Sequence, residues 1–234
     1  RDEGETFVRD ASVRAEQVGI ETITEVLHGE PYEEIVAYAT DAGVDLVVMP
    51  THGRTGLSRL VLGSTTERVV RSSEVPVLTM QPDTNTEVSY PYERVLVPTD
   101  GSECATAAVR FGSRLATSTN SEFHALSVVD IGHLGVDIRG PALIEEYESR
   151  ANDLINEAAT VAHEEGVDGV TAVENRVSVV RGIRTYIDEH DIDLVVIGTH
   201  GRRGFDRFML GSVAEKILRR SPVPVVTIRH DDSR

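Results

Sequence analysis

The sequence predicts an α/β protein with a doubly wound parallel sheet, in which one copy of the fold is complete and a second copy is partial. Three observations carry this expectation. Short apolar runs, such as Val95 to Val97 and Leu194 to Ile197, alternate with stretches of helical periodicity. Two of the runs end in small or turn-forming residues followed by Thr-His-Gly-Arg and, with nine residues between it and the glycine, Gly-Ser. A whole block of residues also recurs at one fixed offset, the signature of an internal repeat.

The repeat sets the domain organisation. Asp45, His52, Gly53, Gly63, Ser64, Glu67, Pro76 and Val77 recur as Asp193, His200, Gly201, Gly211, Ser212, Glu215, Pro224 and Val225, each pair 148 positions apart. The stretch from about Arg1 to Met80 therefore matches Ser149 to Ile228, whereas Tyr92 to Glu148 has no upstream partner. We expect a partial domain at 1–82 that lacks its first two strands and first helix, a linker at 83–91, and a complete domain at 92–234. The polar, proline-bounded and nonperiodic run from Gln81 to Pro91 marks the linker. The chain opens on arginine within helical periodicity, which reads as an incomplete chain rather than a natural half-domain. Removing two strands and a helix from a parallel sheet would strip cover from apolar surface.

In the complete repeat the elements follow in order. Val95 to Val97 is a strand ending at Pro98, Thr99, Asp100 and Gly101, and Ser102 can cap a helix reaching about Ala116. Phe123 to Val129 is the second strand. Pro141 suits the first turn of a long helix that places Ile144, Tyr147, Ala151, Leu154, Ile155, Ala158 and Ala162 on one face. Val170 to Val173 is a strand, Val179 to Glu189 a helix and Leu194 to Ile197 a strand. Ser212 opens the last helix, and Val223 to Ile228 is the fifth strand. Five strands with helical crossovers make a parallel, doubly wound sheet.

Composition bounds the function. The 234 residues are 40% hydrophobic, enough for proper cores, and no apolar run approaches the roughly 18 residues that span a bilayer. With no basic and apolar leader pattern, the expected location is the cytoplasm, without a membrane partner. The single cysteine, Cys104, excludes an intrachain disulfide and a cysteine-rich metal site. The net charge of −16, with Lys216 the only lysine among 23 basic residues, points to a high-salt cytoplasm such as that of a halophilic archaeon. An ordinary acidic protein is the alternative. Either way, nonspecific nucleic-acid binding, which needs many phosphate contacts, is excluded.

In doubly wound sheets ligands bind beyond the carboxyl ends of the strands, where the strand order reverses. Two strands here end in polar loops, at Thr99, Asp100, Gly101 and Ser102 and at Gly198, Thr199, His200 and Gly201. If these strands are neighbours, their loops face one crevice. Glycines admit an anion close to the backbone, and the start of the following helix adds unpaired N–H groups, so a di- or triphosphate is the natural guest. Duller readings stay open. Ser212 with Glu215, and Ser64 with Glu67, spell capping boxes, and Gly198 and Gly201 can be turn glycines. His200 and His52 lack partners at ligand spacing, which argues against metal. Arg202 and Arg203 can reach phosphates or simply be solvated. Asp100 can accept hydrogen bonds from an adenine amino group or a ribose, hold a divalent ion, or serve as a helix-entry residue.

With Val97, Pro98, Thr99, Asp100, Gly101 and Ser102, the Gly-x2-Gly-x9-Gly-Ser spacing at Gly198, Gly201, Gly211 and Ser212, and the run from Ser221 to Val225, the chain resembles the universal stress protein family, specifically its tandem members. The resemblance implies strand order 3-2-1-4-5, which places the first and fourth strands side by side. It also implies an adenine-nucleotide site for ATP, with or without Mg2+. There Asp100 contacts the adenine end and a backbone position near Val128 helps hold the base. Gly198, Gly201, Gly211 and Ser212 hold ribose and phosphates, while Pro98, Thr99 and Val213 line the site beside Thr199 and His200. It further implies domain pairing through the last strands, with Val225 to Ile228 and Val77 to Met80 pairing inside one chain or across a homodimer. The first repeat departs from the pattern. It keeps Gly53, Gly63 and Ser64, but Pro50 replaces the first glycine and no counterpart of Asp100 exists. It is expected to bind nucleotide poorly or not at all.

The expected function is a nonenzymatic, ATP-binding stress-response protein. No Walker lysine and no placed general base are evident in the sequence. A slow ATPase and a nucleotide-independent dimerising scaffold are the alternatives.

Overall fold

A computed structural model of the chain describes residues 2–53, 62–82, 90–132, 141–201 and 209–230. Arg202, Arg203 and most of the linker, residues 83–89, lie outside the described residues, as does the side chain of Ile144. In chain order the elements are α1 (Asp2–Gln17), α2 (Pro31–Asp41), β1 (Val47–Pro50), α3 (Ser64–Ser72), β2 (Val77–Met80), β3 (Arg94–Pro98), α4 (Glu103–Thr119), β4 (Glu122–Asp130), α5 (Pro141–Glu164), β5 (Val170–Arg176), α6 (Val179–Glu189), β6 (Leu194–Gly198), α7 (Ser212–Arg220) and β7 (Val225–Ile228). No helix among the described residues is long and apolar enough to cross a membrane.

The seven strands of the described residues join one sheet, in the order β1-β2-β7-β6-β3-β4-β5. This corrects the expected five-stranded sheet to one of seven strands, while within the second repeat the strands keep the expected order 3-2-1-4-5. The strands of the second repeat occupy the run β7-β6-β3-β4-β5, and β7 does not end the sheet, because its outer edge is taken by the first repeat. There β2 runs antiparallel to β7, pairing Val77 with Thr227, Leu78 with Val226 and Thr79 with Val225, while every other pairing is parallel. Two buried threonines brace this joint reciprocally. Thr79 Oγ1 donates to the Val225 carbonyl at 3.3 Å and Thr227 Oγ1 to the Val77 carbonyl at 3.2 Å.

Apolar side chains cover both faces of the sheet, as a parallel sheet requires. On one face Val69 and Val70 of α3 and Tyr186, Ile187, Ile217 and Leu218 of α6 and α7 pack over Leu96, Leu126 and Val195. This cluster crosses the joint and makes one core of the two repeats. On the other face α4 and α5 bury Ala108, Val109, Ala116, Ile155, Ala158 and Ala162 over Val95, Val97, Phe123 and Val196. Tyr147, expected on the inner face of α5, is instead 40% exposed, one turn nearer the start of the helix than buried Ala151. Among the described residues no counterpart of β3, α4 and β4 covers the first repeat, and the effect on burial is direct. Val48 of β1 is 58% exposed, whereas its repeat partner Val196 is fully buried. Residues 22–28, which correspond to the whole of β5, form no strand, and among the described residues the strand they would pair with is absent from the sheet.

Some element ends shift for local reasons. The last strand begins at Val225 rather than Val223, because Ser221 holds the intervening turn. Its Oγ donates to the Val223 carbonyl at 2.7 Å and accepts from the Val223 N–H at 3.2 Å.

One buried histidine gives the fold a pH dependence. His124 of β4 is 3% exposed, its Nδ1 lies 3.0 Å from Tyr186 Oη, and its Nε2 lies 3.5 Å from Glu122 Oε2. Burial pushes its pKa below the ordinary histidine value. Glu122 pulls the other way, and His190 and Arg94 add to the downward push. The unfolded chain therefore takes the proton first, so the contribution of His124 is complete above a pH of about 6.5 and is lost as the pH falls below it. Chemical denaturation at a series of pH values should show His124→Gln flattening this acid limb. An unchanged limb would mean that other groups produce it.

Candidate functional site

The crevice is built by the strand register. β3 and β6 are neighbours, but they pair only through Val95 with Leu194 and Leu96 with Val195, near their amino ends. Asp193 tightens that end by accepting from the Glu93 N–H at 2.6 Å and the Arg94 N–H at 3.1 Å. Toward their carboxyl ends no paired residues hold the two strands together, and between them the strand order reverses. This is where an open α/β sheet offers room for a ligand.

Each strand then delivers a polar loop. Pro98 and Thr99 are buried, and the Thr99 N–H donates to the Leu126 carbonyl at 2.8 Å, fixing the exit of β3 against β4. Asp100 forms an Asx turn, its Oδ1 accepting from the Ser102 N–H at 3.0 Å, and Gly101 takes a φ of +73° that favours glycine. Ser102 is the N-cap of α4, as expected, accepting from the Ala105 N–H at 3.3 Å. Its hydroxyl also donates to the His200 carbonyl at 3.2 Å, tying the two loops together. Sequence reasoning gave Ser102 the capping role alone.

The loop after β6 is held with similar economy. The Thr199 N–H donates to the Ile228 carbonyl at 2.9 Å, and Thr199 Oγ1 lies 2.9 Å from His200 Nδ1, which orients that ring. The Gly211 N–H then returns to the Thr199 carbonyl at 2.8 Å, folding the start of α7 over the loop. Gly201 faces Asp100 directly, since a Cβ at 201 would stand 2.5 Å from Asp100 Oδ2. Val128 stands near the end of β4, its side chain against α6 where a Cβ on Gly182 would come within 2.8 Å. The structure thus brings Thr99, Asp100, Ser102, Thr199, His200, Gly201 and Gly211 together and turns the Val128 side chain toward α6.

Two readings of the loop change. The N-cap of α7 is Gly211, with extended backbone, and Ser212 is the exposed first helical residue. The capping box of Ser212 with Glu215 is therefore not formed, because the box needs its serine one position earlier. Gly63 and Ser64 repeat this arrangement in α3. Gly198, read as a glycine for anion approach, is required by packing: a Cβ there would meet the Cys104 carbonyl carbon at 2.8 Å and its Cβ at 2.9 Å. Cys104 itself is buried in the first turn of α4.

The upstream copy keeps the same backbone plan. The Gly63 N–H donates to the Thr51 carbonyl at 2.7 Å, the Thr51 N–H to the Met80 carbonyl at 2.9 Å, and Thr51 Oγ1 lies 3.1 Å from His52 Nδ1. Thr66 Oγ1 donates to the Pro50 carbonyl at 2.9 Å. Among the described residues no strand lies beyond β1 and no loop faces this copy from the position that Asp100 holds in the other. Gly53 makes no close approach there. Among the described residues no group of three histidine, cysteine or acidic side chains is placed to hold a metal ion.

These features define a doubly wound α/β protein with a switch-point crevice walled by a glycine loop and a strand-end carboxylate. Comparison with known proteins narrows that class. The chain belongs to the universal stress protein family, whose model matches residues 1–81 and 91–229. A universal stress protein of Mycobacterium bovis is 29% identical over 238 residues, an alignment covering 97% of this chain and 77% of the relative. One from Methanocaldococcus jannaschii is 41% identical over 81 residues, covering 35% of this chain and 48% of the relative. The chain therefore spans about half the length of that archaeal relative. Among solved structures, a universal stress protein of Archaeoglobus fulgidus shares the fold with a TM-score of 0.75 at 24% identity, covering 98% of this chain and 79% of that one.

Proposed function

We propose that the second repeat binds an adenine nucleotide, ATP, in the crevice between β3 and β6, and that the protein acts in a stress response as a nonenzymatic regulator. The observation that carries this reading is the meeting of Asp100 with the glycine loop, with Asp100 Oδ2 positioned 2.5 Å from where a Cβ on Gly201 would be. A carboxylate on one wall suits the amino or hydroxyl donors of the nucleoside. On the other wall, the start of α7 at Ser212 and Val213, next to Gly211 whose own N–H is given to the Thr199 carbonyl, presents backbone N–H groups that the helix itself leaves unpaired, together with the positive end of its dipole. Ser212 adds a hydroxyl at the exposed mouth. Asp100 is the one carboxylate in the two loops at 98–102 and 198–201, and its Oδ1 is engaged in the turn. The proposal concerns the second repeat alone; among the described residues the first repeat shows a cradle with no loop facing it.

Nucleotide released by heating the purified full chain, followed by equilibrium titration with ATP, tests the proposal. Asp100→Ala should weaken ATP about tenfold, the order expected for a lost hydrogen bond to a charged group. Wild-type affinity in this variant would remove Asp100 from the site.

A further inference from the structure

The two ends of α7 face different parts of the molecule. Its first turn borders the crevice, and its last turn rests on the first repeat. Gln81, one residue beyond β2, donates Nε2 to the Arg219 carbonyl at 3.1 Å and to the Ser221 carbonyl at 3.4 Å. These carbonyls belong to the last helical turn and the C-cap, where a helix cannot satisfy its own acceptors. The arrangement recurs in reverse across the joint. Arg229, one residue beyond β7, donates Nη1 to the Ser72 carbonyl at 3.2 Å, at the end of α3. Gln81 and Arg229 hold the same repeat position, so each repeat closes the last helix of the other.

We propose that Gln81 is a positioning residue for the ligand crevice of the second repeat, and that occupancy of the crevice is thereby coupled to the order of the first repeat. The nucleotide site itself rests on the function proposed above. Two physical facts carry the coupling. A helix of nine residues is only about 13 Å long and moves as one body, so loss of its C-terminal anchor is felt at its N-terminal donors. Those donors are pinned to the loop through Gly211 and Thr199, and Thr199 is pinned in turn to Ile228, on the strand that pairs with β2. A ligand that fixes the start of α7 therefore favours the geometry in which Gln81 reaches its end, and linkage makes the effect mutual.

The test uses the full chain with Gln81→Ala and with Gln81→Arg, the latter supplying the donor that Arg229 uses at the other helix. Hydrogen exchange without ligand should show Gln81→Ala accelerating the amides along the whole of α7 by about fivefold, with α4 unchanged. ATP should bind about fivefold more weakly. Gln81→Arg should restore both. Acceleration confined to the last turn, with wild-type ATP affinity, would overturn the proposal by reducing Gln81 to a local cap. Unchanged exchange throughout α7 would overturn it as well. If wild-type protein binds no ATP, the nucleotide reading falls by itself, and the exchange of the first turn of α7 decides whether Gln81 positions that end.

Discussion

Valine at Gly198 is expected to lower the free energy of unfolding by about 2–3 kcal/mol, measured by denaturant titration of the full chain. The cause is contact between elements. A Cβ at 198 would stand 2.8 Å from the Cys104 carbonyl carbon and 2.9 Å from its carbonyl oxygen, both atoms of the α4 backbone. That backbone cannot retreat, because Cys104, Ala105, Ala108 and Val109 are already buried against the sheet. The protein contains its own control. Pro50 occupies the same repeat position at the exposed edge of the sheet, where among the described residues no helix equivalent to α4 presses on it. Pro50→Ala should therefore change stability by no more than about 0.5 kcal/mol. A loss at Gly198 as small as that at Pro50 would show that α4 yields, and that the glycine serves something other than packing.

Gly211→Val should act on binding instead, weakening ATP by about 100-fold or more in an equilibrium titration. Gly211 has φ −61° and ψ 142°, a region open to any residue, so the substitution carries no backbone strain. Its Cβ would approach the Thr199 carbonyl oxygen at 3.1 Å and the His200 Cα at 3.6 Å, and the loop must move to accept it. A branched side chain would also crowd the N–H groups proposed to meet phosphate. The fold should persist, with a thermal midpoint within a few degrees of wild type. An unaltered ATP affinity in a folded variant would remove the glycine loop from the site.

How much of this was legible in the sequence depended on whether the signal was local. The strands of the second repeat, the N-cap at Ser102 and the glycine loop were readable, because periodicity, capping chemistry and repeated spacing lie within short windows. The pairing of β2 with β7 was foreshadowed by the family resemblance. The packing role of Gly198 was not readable, since it depends on Cys104, brought close only by the adjacency of β3 and β6. The link from Ser102 to the His200 carbonyl was hidden for the same reason. Gln81 looked like the first residue of a linker, although its repeat partner Arg229 was a usable clue. The capping box at Ser212 misled because Ser-x-x-Glu carries no sign of which residue leaves the helical conformation first. Tyr147 falls on the right helical face but too near the start of α5 for the sheet to cover it.

The antiparallel joint between the repeats also bears on the order of assembly. Strands β3, β4 and β5 lie side by side and follow one another in the chain, whereas β2 meets β7 across nearly the whole length of the second repeat. Closing so long a loop costs chain entropy before any pairing offsets it. The second repeat thus has the local contacts to form early, and the joint, with its two buried threonines and its exchanged helix ends, is expected to complete after them. The crevice would then reach its final shape only when the two repeats have met.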